Sequence, residues 1–327
     1  VKRALALLLA SLVHLLTLAF FAAGGWTIVV SGGSLAGWLL GGLAVAVGWV
    51  LRPRLGRLPS DADVLDRSAA PSLYALAGRV ADRVGVGRPV RVAVRDLSLE
   101  ARYEHLGLLR TPALTIGLPL WLALSPRRRV ALLAAACSRV PSGDEVVVET
   151  ALGTLAAWRD ALVGAAPLRA REEAQTTIAS ASLGAVDHPG TTYEVMGFFG
   201  RIIGRVLGGP VLLTEYVLKR LARAGDGRAR DRARARALRA ASAAELDELD
   251  ALMARGGYLA PMQAAALRGE SVSAIRQGVL ARSRLTDDGV LDEAPRSELL
   301  DAAESDRVDA ELQPHYARAV RGFGLIS

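Results

Sequence analysis

A chain of 327 residues is long enough for one or two domains with a sizeable core. Its 51% hydrophobic content and mean hydropathy of +0.28 are high for a water-soluble protein and point to membrane segments. The net charge of +7 is weak evidence for a nucleic-acid partner: arginine supplies nearly all of it, Lys2 and Lys219 being the only lysines, and 5% aromatics give few bases a stacking partner. The single cysteine, Cys137, excludes an intramolecular disulfide and a CxxC metal site, and the four histidines, His14, His105, His188 and His315, form no HxxxH pair.

The N-terminus opens with Lys2-Arg3 and then an apolar run, Ala4–Ala23, broken only by Ser11, His14 and Thr17. About 20 apolar residues span a bilayer as a helix. A signal peptide would share the charged start and apolar stretch, but a second apolar stretch, Ile28–Leu51, follows Gly24-Gly25 and ends at Arg52, Pro53, Arg54 and Arg57. Basic residues thus flank both outer ends of an expected two-helix transmembrane hairpin over residues 1–57, with both ends cytoplasmic by the positive-inside rule. The expected location is the cell (inner) membrane, multi-pass, with the bulk of the chain in the cytoplasm. The glycine pairs in the hairpin lack the GxxxxGK[ST] form of a phosphate loop and suit close helix packing.

Leu58–Ala70 reads as a polar linker. Pro71–Val84 places Leu73, Leu76, Ala77, Val80, Ala81 and Val84 on one helical face. Val90–Val94 and Ala113–Gly117 read as short strands, and Leu99–Leu109 between them either continues the sheet or forms a loop. Ser125 at the N-cap and Pro126 at the first position start a helix running from Arg127 to about Val140, stopped by Pro141. Asp144–Val163 looks helical, with charges at Asp144, Glu145, Glu149, Arg159 and Asp160 that argue against a plain membrane span. Ala165–Gly190 is more polar and partly loop. Tyr193–Leu221 is a long helical pattern that lies on the membrane or enters it partly. Arg220–Arg239 is strongly basic and reads first as a solvated helix face, then as an anionic-lipid contact, and last as a nucleic-acid contact. Ser242 with Glu245 three residues on is a capping-box pattern. The tail after Gly269 is polar, acidic around Thr286–Asp309 and helical in pieces.

The layout of hairpin, Pro71–Val84 helix, VRVAVRD strand and LTIGLPLWLALSPRRRVALLA segment resembles the M48 family of membrane zinc metallopeptidases, the group of HtpX and the Ste24 CAAX proteases. Thr115–Trp121 carries the most specific match. The resemblance implies an α+β, mostly helical protein: the transmembrane hairpin, a zincin-like (M48-like) domain with a small sheet over residues 58–268, and a polar helical C-terminal region over 269–327. It implies a substrate-edge strand at Leu114, Thr115, Ile116 and Gly117, to which a peptide adds by β-pairing. It also implies an HExxH helix, two histidines binding zinc and a glutamate activating water, with a further glutamate ligand from a later helix.

The register set by Gly143-Asp144 puts Ala135 and Arg139 at the two histidine positions and Ala136 at the glutamate position. The later ligand falls at Arg230, with Arg234 at the next acidic position and Asp231 one place off. Arg307 and Asp309 fit the start of a family Arg-x-Asp-His-Pro-Pro text, whose last three residues correspond to Leu312, Gln313 and Pro314. Alanine has no donor atom and arginine is a cation. The resemblance therefore implies a member without its zinc, expected to need no cofactor: a catalytically inactive pseudoprotease that binds a polypeptide client or regulates an active paralogue at the lipid bilayer. Arg139 and Arg230 would replace the lost cation's charge by pairing with acids. Cys137 as a nucleophile is the weaker alternative to a small buried residue. Two rival classes stand beside this one. An active zinc endopeptidase would use unaligned ligands, with His188 or His315 approaching Asp144 or Asp231. A non-peptidase membrane protein would bind anionic lipid through its basic helix.

Overall fold

A computed structural model describes residues 2–52, 56–107, 110–163, 208–283 and 298–322. The chain divides into two compact units, Val1–Arg54 with Pro141–Gly227, and Leu55–Val140 with Arg228–Ser327. These units are not drawn at the expected boundaries of 57 and 268. Residues 141–227 group with the N-terminal helices, and the C-terminal region belongs to the second unit.

In the first unit, helix α1 (Lys2–Val30) is long and apolar enough to cross a membrane, with a mean hydropathy of 2.4 over its best window. Its 29 residues measure about 43 Å, more than the ~30 Å of hydrocarbon in a bilayer. Helix α2 (Leu35–Leu51) is apolar but has only 17 residues, about 25 Å, so among the described residues a single candidate span stands in place of the expected pair.

The turn between α1 and α2 also lies elsewhere than expected. Helix α1 runs through Gly24-Gly25, and the chain reverses at Gly32 and Gly33, whose φ values of +56° and +88° suit glycine. Gly24 serves packing instead: a Cβ there would stand 2.7 Å from the Val45 side chain and 2.8 Å from the Gly41 carbonyl. Ser34 caps α2 by accepting from the Gly37 amide.

Beside these helices lie α3 (Gly143–Val163) and a helix over residues 208–223, α4. Ala6, Ala10 and Val13 pack against Ala151, Leu155, Trp158 and Leu218. His14 is packed, with Nε2 3.4 Å from the Val147 carbonyl and 3.3 Å from Thr150 Oγ1. The upstream part of the Tyr193–Leu221 pattern lies outside the described residues.

The second unit is built on a mixed four-stranded sheet: β1 (Ala62–Val64), β2 (Arg91–Arg95), β3 (Ala101–Leu106) and β4 (Thr111–Gly117), in the order β1-β2-β4-β3. Strand β2 runs parallel to β4, and both outer pairings are antiparallel. Leu114–Gly117 is therefore not a sheet edge. It pairs with β2 on one side and β3 on the other, because the Leu99–Leu109 stretch supplies β3. Gly117 admits that neighbour, since a Cβ there would sit 2.0 Å from the Ser98 carbonyl oxygen. The linker also holds a strand, β1.

Helix α5 (Pro71–Val84) forms over the residues its periodicity predicts, and Gly85 ends it at φ +85°. After β4 come α6 (Leu118–Ala123) and α7 (Pro126–Ser138). The later chain forms α8 (Asp226–Ala237), α9 (Ala243–Arg255), α10 (Leu259–Leu267), α11 (Val272–Ser283) and α12 (Ala302–Gly322). One apolar core joins α5, β2, β4, α6 and α7 with α9 and α12. Val92–Val94 and Ala113–Ile116 are shielded throughout, as in strands covered on both faces.

Candidate functional site

Helix α7 carries the positions at which the family resemblance would place chemistry. Ser125 stands at the N-cap with Pro126 following, but its hydroxyl caps no amide; its carbonyl receives the Arg129 amide at 2.9 Å. Three successive arginines then take three partners. Arg127 donates to Glu245 of α9, inside a complete Ser242–Glu245 capping box. Arg128 lies 3.3 Å from Glu248. Arg129 is fully buried.

Arg129 is the centre of an ionic cluster in the core. It donates to the Trp121 carbonyl at 3.2 Å, to Ser305 Oγ at 2.9 Å and to Asp309 Oδ1 at 2.7 Å, and its guanidinium lies 4.8 Å from the Trp121 ring centroid. Asp309 also accepts from the Tyr316 hydroxyl at 2.8 Å and stands 3.0 Å from Arg276 of α11. That last contact is an ion pair without hydrogen-bond alignment, which leaves Asp309 Oδ2 without a hydrogen-bonding partner among the described residues. Two guanidiniums thus share one carboxylate. Burial, and then repulsion from Arg129, holds Arg276 below the ordinary arginine range. Burial lifts the Tyr316 hydroxyl well above the usual tyrosine range. Helical spacing gives no signal that singles out Arg129, because each of the three arginines has apolar residues three and four positions on: Val130 and Ala131 for Arg127, Ala131 and Leu132 for Arg128, Leu132 and Leu133 for Arg129.

Ala135 is half-buried against the core and Ala136 is 3% exposed within it. Helix α7 ends at Ser138, whose hydroxyl donates to the Ala135 carbonyl at 2.8 Å. Arg139 is the C-cap, outside the last helical turn, and its side chain is exposed with no ion pair among the described residues. The expectation that Arg139 replaces a cation by pairing with acids is corrected by this exposure. Cys137 is fully buried, and burial pushes its thiol up to about 12. A nucleophilic thiolate needs the opposite environment.

Helix α8 does meet the end of α7, but through another arginine than expected. Arg236 donates to the Val140 carbonyl at 3.2 Å. Arg230 and Asp231 are exposed, and Arg234 pairs with Asp247 of α9 at 2.7 Å. Leu312, Gln313 and Pro314 lie inside the continuous helix α12, where Leu312 is buried and the other two are exposed. Arg307 is exposed on the same helix.

His315 sits one residue past Pro314. Its acidic neighbour is Asp63 of β1, at 3.3 Å, which it shares with Arg318; Arg318 also pairs with Asp96. Asp144 pairs with Arg3. His188 lies outside the described residues. The His105 imidazole, on β3, is held below the usual histidine value by burial and then by Arg110. Among the described residues, no three His, Cys, Asp or Glu side chains converge as a metal site would require. No protein-family model matches the chain, and neither curated proteins nor solved structures give a match.

Proposed function

We propose that this chain is a membrane-anchored, M48-like scaffold that binds a polypeptide client or an active paralogue at the bilayer and hydrolyses nothing. The observation that carries the reading is α7 itself. Where the resemblance asks for ligand, base and ligand, the helix presents a half-buried alanine, a buried alanine, and an arginine beyond its last turn. The strand–helix order around it, β4 into α6 and α7, is the layout on which the resemblance rests. Membrane anchoring is supported by α1, whose Leu5, Leu8, Leu12, Leu15 and Leu18 are exposed, and by exposed Trp26, Trp38 and Trp49, a residue type that favours bilayer interfaces.

The test is metal analysis and proteolysis with the full chain in detergent. The expected result is no stoichiometric zinc and no chelator-sensitive degradation of an unfolded substrate. Stoichiometric zinc, or degradation stopped by a chelator, would overturn the reading. A second reading is favoured by α8, which carries Arg228, Arg230, Arg232, Arg234 and Arg236: contact with anionic lipid. It predicts vesicle binding that falls steeply with salt and with α8 arginine-to-glutamine changes, while a chain with those changes still partitions to membranes through α1.

A further inference from the structure

Along α5 runs a groove of about 420 Å³, walled by the guanidinium-bearing residues Arg67, Arg79 and Arg88 over Tyr74, Ala75 and Gly78. No carboxylate lines it. Arg79 and Arg88 each keep one acid beside the groove, Glu304 at 2.6 Å and Asp82 at 2.7 Å. Arg67 has neither a hydrogen bond nor an ion pair from its side chain among the described residues. It is held instead over the Tyr74 ring, 5.0 Å from the centroid. The floor stays open because α5 places small residues there: Ala75 is exposed, and even a Cβ at Gly78 would touch Arg88 Cδ at 3.6 Å.

We propose that this groove binds a phosphate-bearing ligand with an apolar body. Guanidiniums recognise phosphate oxygens through paired, charge-assisted N–H donors. Arg67, with no acid partner among the described residues, is the guanidinium that takes the phosphate, while Arg79 and Arg88, paired with Glu304 and Asp82, flank it with their remaining N–H donors. The volume lies within the range of small-molecule sites, roughly 300–1,000 Å³, and exceeds what a bare phosphate fills. The remainder of the ligand rests on the Ala75 and Gly78 floor, an apolar surface. The phosphate arrives either on a soluble phosphomonoester or as a lipid headgroup, and one chemistry serves both. This inference is independent of the peptidase-like reading.

The experiment uses the full chain in detergent micelles, titrated calorimetrically with phenyl phosphate, and the full chain in nanodiscs containing either phosphatidic acid or phosphatidylcholine alone. Arg67→Gln removes the guanidinium with no acid partner and leaves every ion pair in place. Ala75→Leu fills the floor without touching a charge. Saturable binding to phenyl phosphate or to phosphatidic acid, weakened about tenfold by Arg67→Gln and also lost in Ala75→Leu, is the expected result; which probe binds identifies the source. Both substitutions are at exposed positions, and unchanged circular dichroism shows that the variants are folded. Absence of saturable binding to both probes, or binding that survives Arg67→Gln and Ala75→Leu, overturns the proposal.

Discussion

Replacing Asp309 should be far more damaging than replacing Arg129, although Arg129 is the more deeply buried of the pair. Among the described residues, Asp309 is the only carboxylate contacting both Arg129 and Arg276, and it also receives the Tyr316 hydroxyl. Asp309→Ala leaves the buried Arg129 and the half-buried Arg276 without the carboxylate they share, a loss of the kind that costs ~3–5 kcal/mol when a buried pair is broken. Arg129→Met keeps an apolar stem of similar length and leaves Asp309 paired with Arg276. It also removes the repulsion that Arg276 feels. Its cost is then the lost bonds to the Trp121 carbonyl and Ser305, on the order of 1–3 kcal/mol.

The chain has two units, so a single global unfolding midpoint would mix them. Native-state hydrogen exchange on α7 and α12 amides reads the second unit alone. Exchange there should quicken roughly a hundred- to several-thousand-fold in Asp309→Ala, and roughly five- to 150-fold in Arg129→Met. Equal effects, or a larger effect of Arg129→Met, would refute the two-against-one account of the cluster.

Helix α5 starts at Ala70 and Pro71 without a side-chain cap of its own; Glu311 of α12 accepts from the Ser72 amide at 2.8 Å and the Leu73 amide at 3.1 Å. Glu311→Ala should cost about 1 kcal/mol and show as faster exchange at those two amides, while Glu311→Gln, which keeps an acceptor but loses the charge, should cost less. Cys137 offers a pH test with a fixed sign. Its folded value of about 12 is above the ordinary 9.0, so the folded chain keeps a proton that the unfolded chain loses above pH ~9. Stability of the second unit should therefore fall by up to ~1.4 kcal/mol per pH unit above pH ~9 on account of this group. Cys137→Ala should remove that part of the slope, measured by hydrogen exchange of the α7 amides across the pH range. An unchanged slope in Cys137→Ala would place the thiol outside the apolar core.

Much of the second unit was legible because its apolar residues repeat at the helix period. The run Leu73, Leu76, Ala77, Val80, Ala81, Val84 gave α5 its bounds, and the Ser242–Glu245 capping box gave α9 its start. Strand β1 escaped because its three residues, Ala-Asp-Val, sit in a polar stretch and are held by pairing with β2, a tertiary effect. Strand β3 was left open because ARYEHL carries alternate charged residues, as an edge strand does, and its presence turned β4 from edge to interior. The hairpin turn was misplaced because glycine has two uses. At Gly24 it admits a neighbouring helix; at Gly32 and Gly33 it supplies positive φ. Local sequence does not tell these apart. The ionic cluster around Asp309 joins residues about 180 positions apart, and the local sequence around Arg129 does not set it apart from Arg127 and Arg128.

Installing the HExxH motif of the family that the sequence resembles should not create a metal site. In the triple change Ala135→His, Ala136→Glu, Arg139→His, the two histidines would need to project from successive turns of one helix. Helix α7 stops at Ser138, and residue 139 adopts φ −79° and ψ 19°, off the helical path. A glutamate at 136 would enter a position now 3% exposed among apolar neighbours, where a carboxylate either stays protonated or costs several kcal/mol. Helix α8 would still offer arginines toward α7, with Arg236 on the Val140 carbonyl. The expected outcome is a destabilised chain, by roughly 3–5 kcal/mol in the exchange of α7, with zinc affinity no tighter than that of the unfolded variant. The alternative outcome is informative in the other direction. Tight stoichiometric zinc, with α7 exchange slowed when the metal binds, would mean that this helix borders an open cleft able to seat a metal. The packing of Ala136 argues for the first result: at 3% exposure among apolar neighbours, the position leaves no room for a side chain to face a metal.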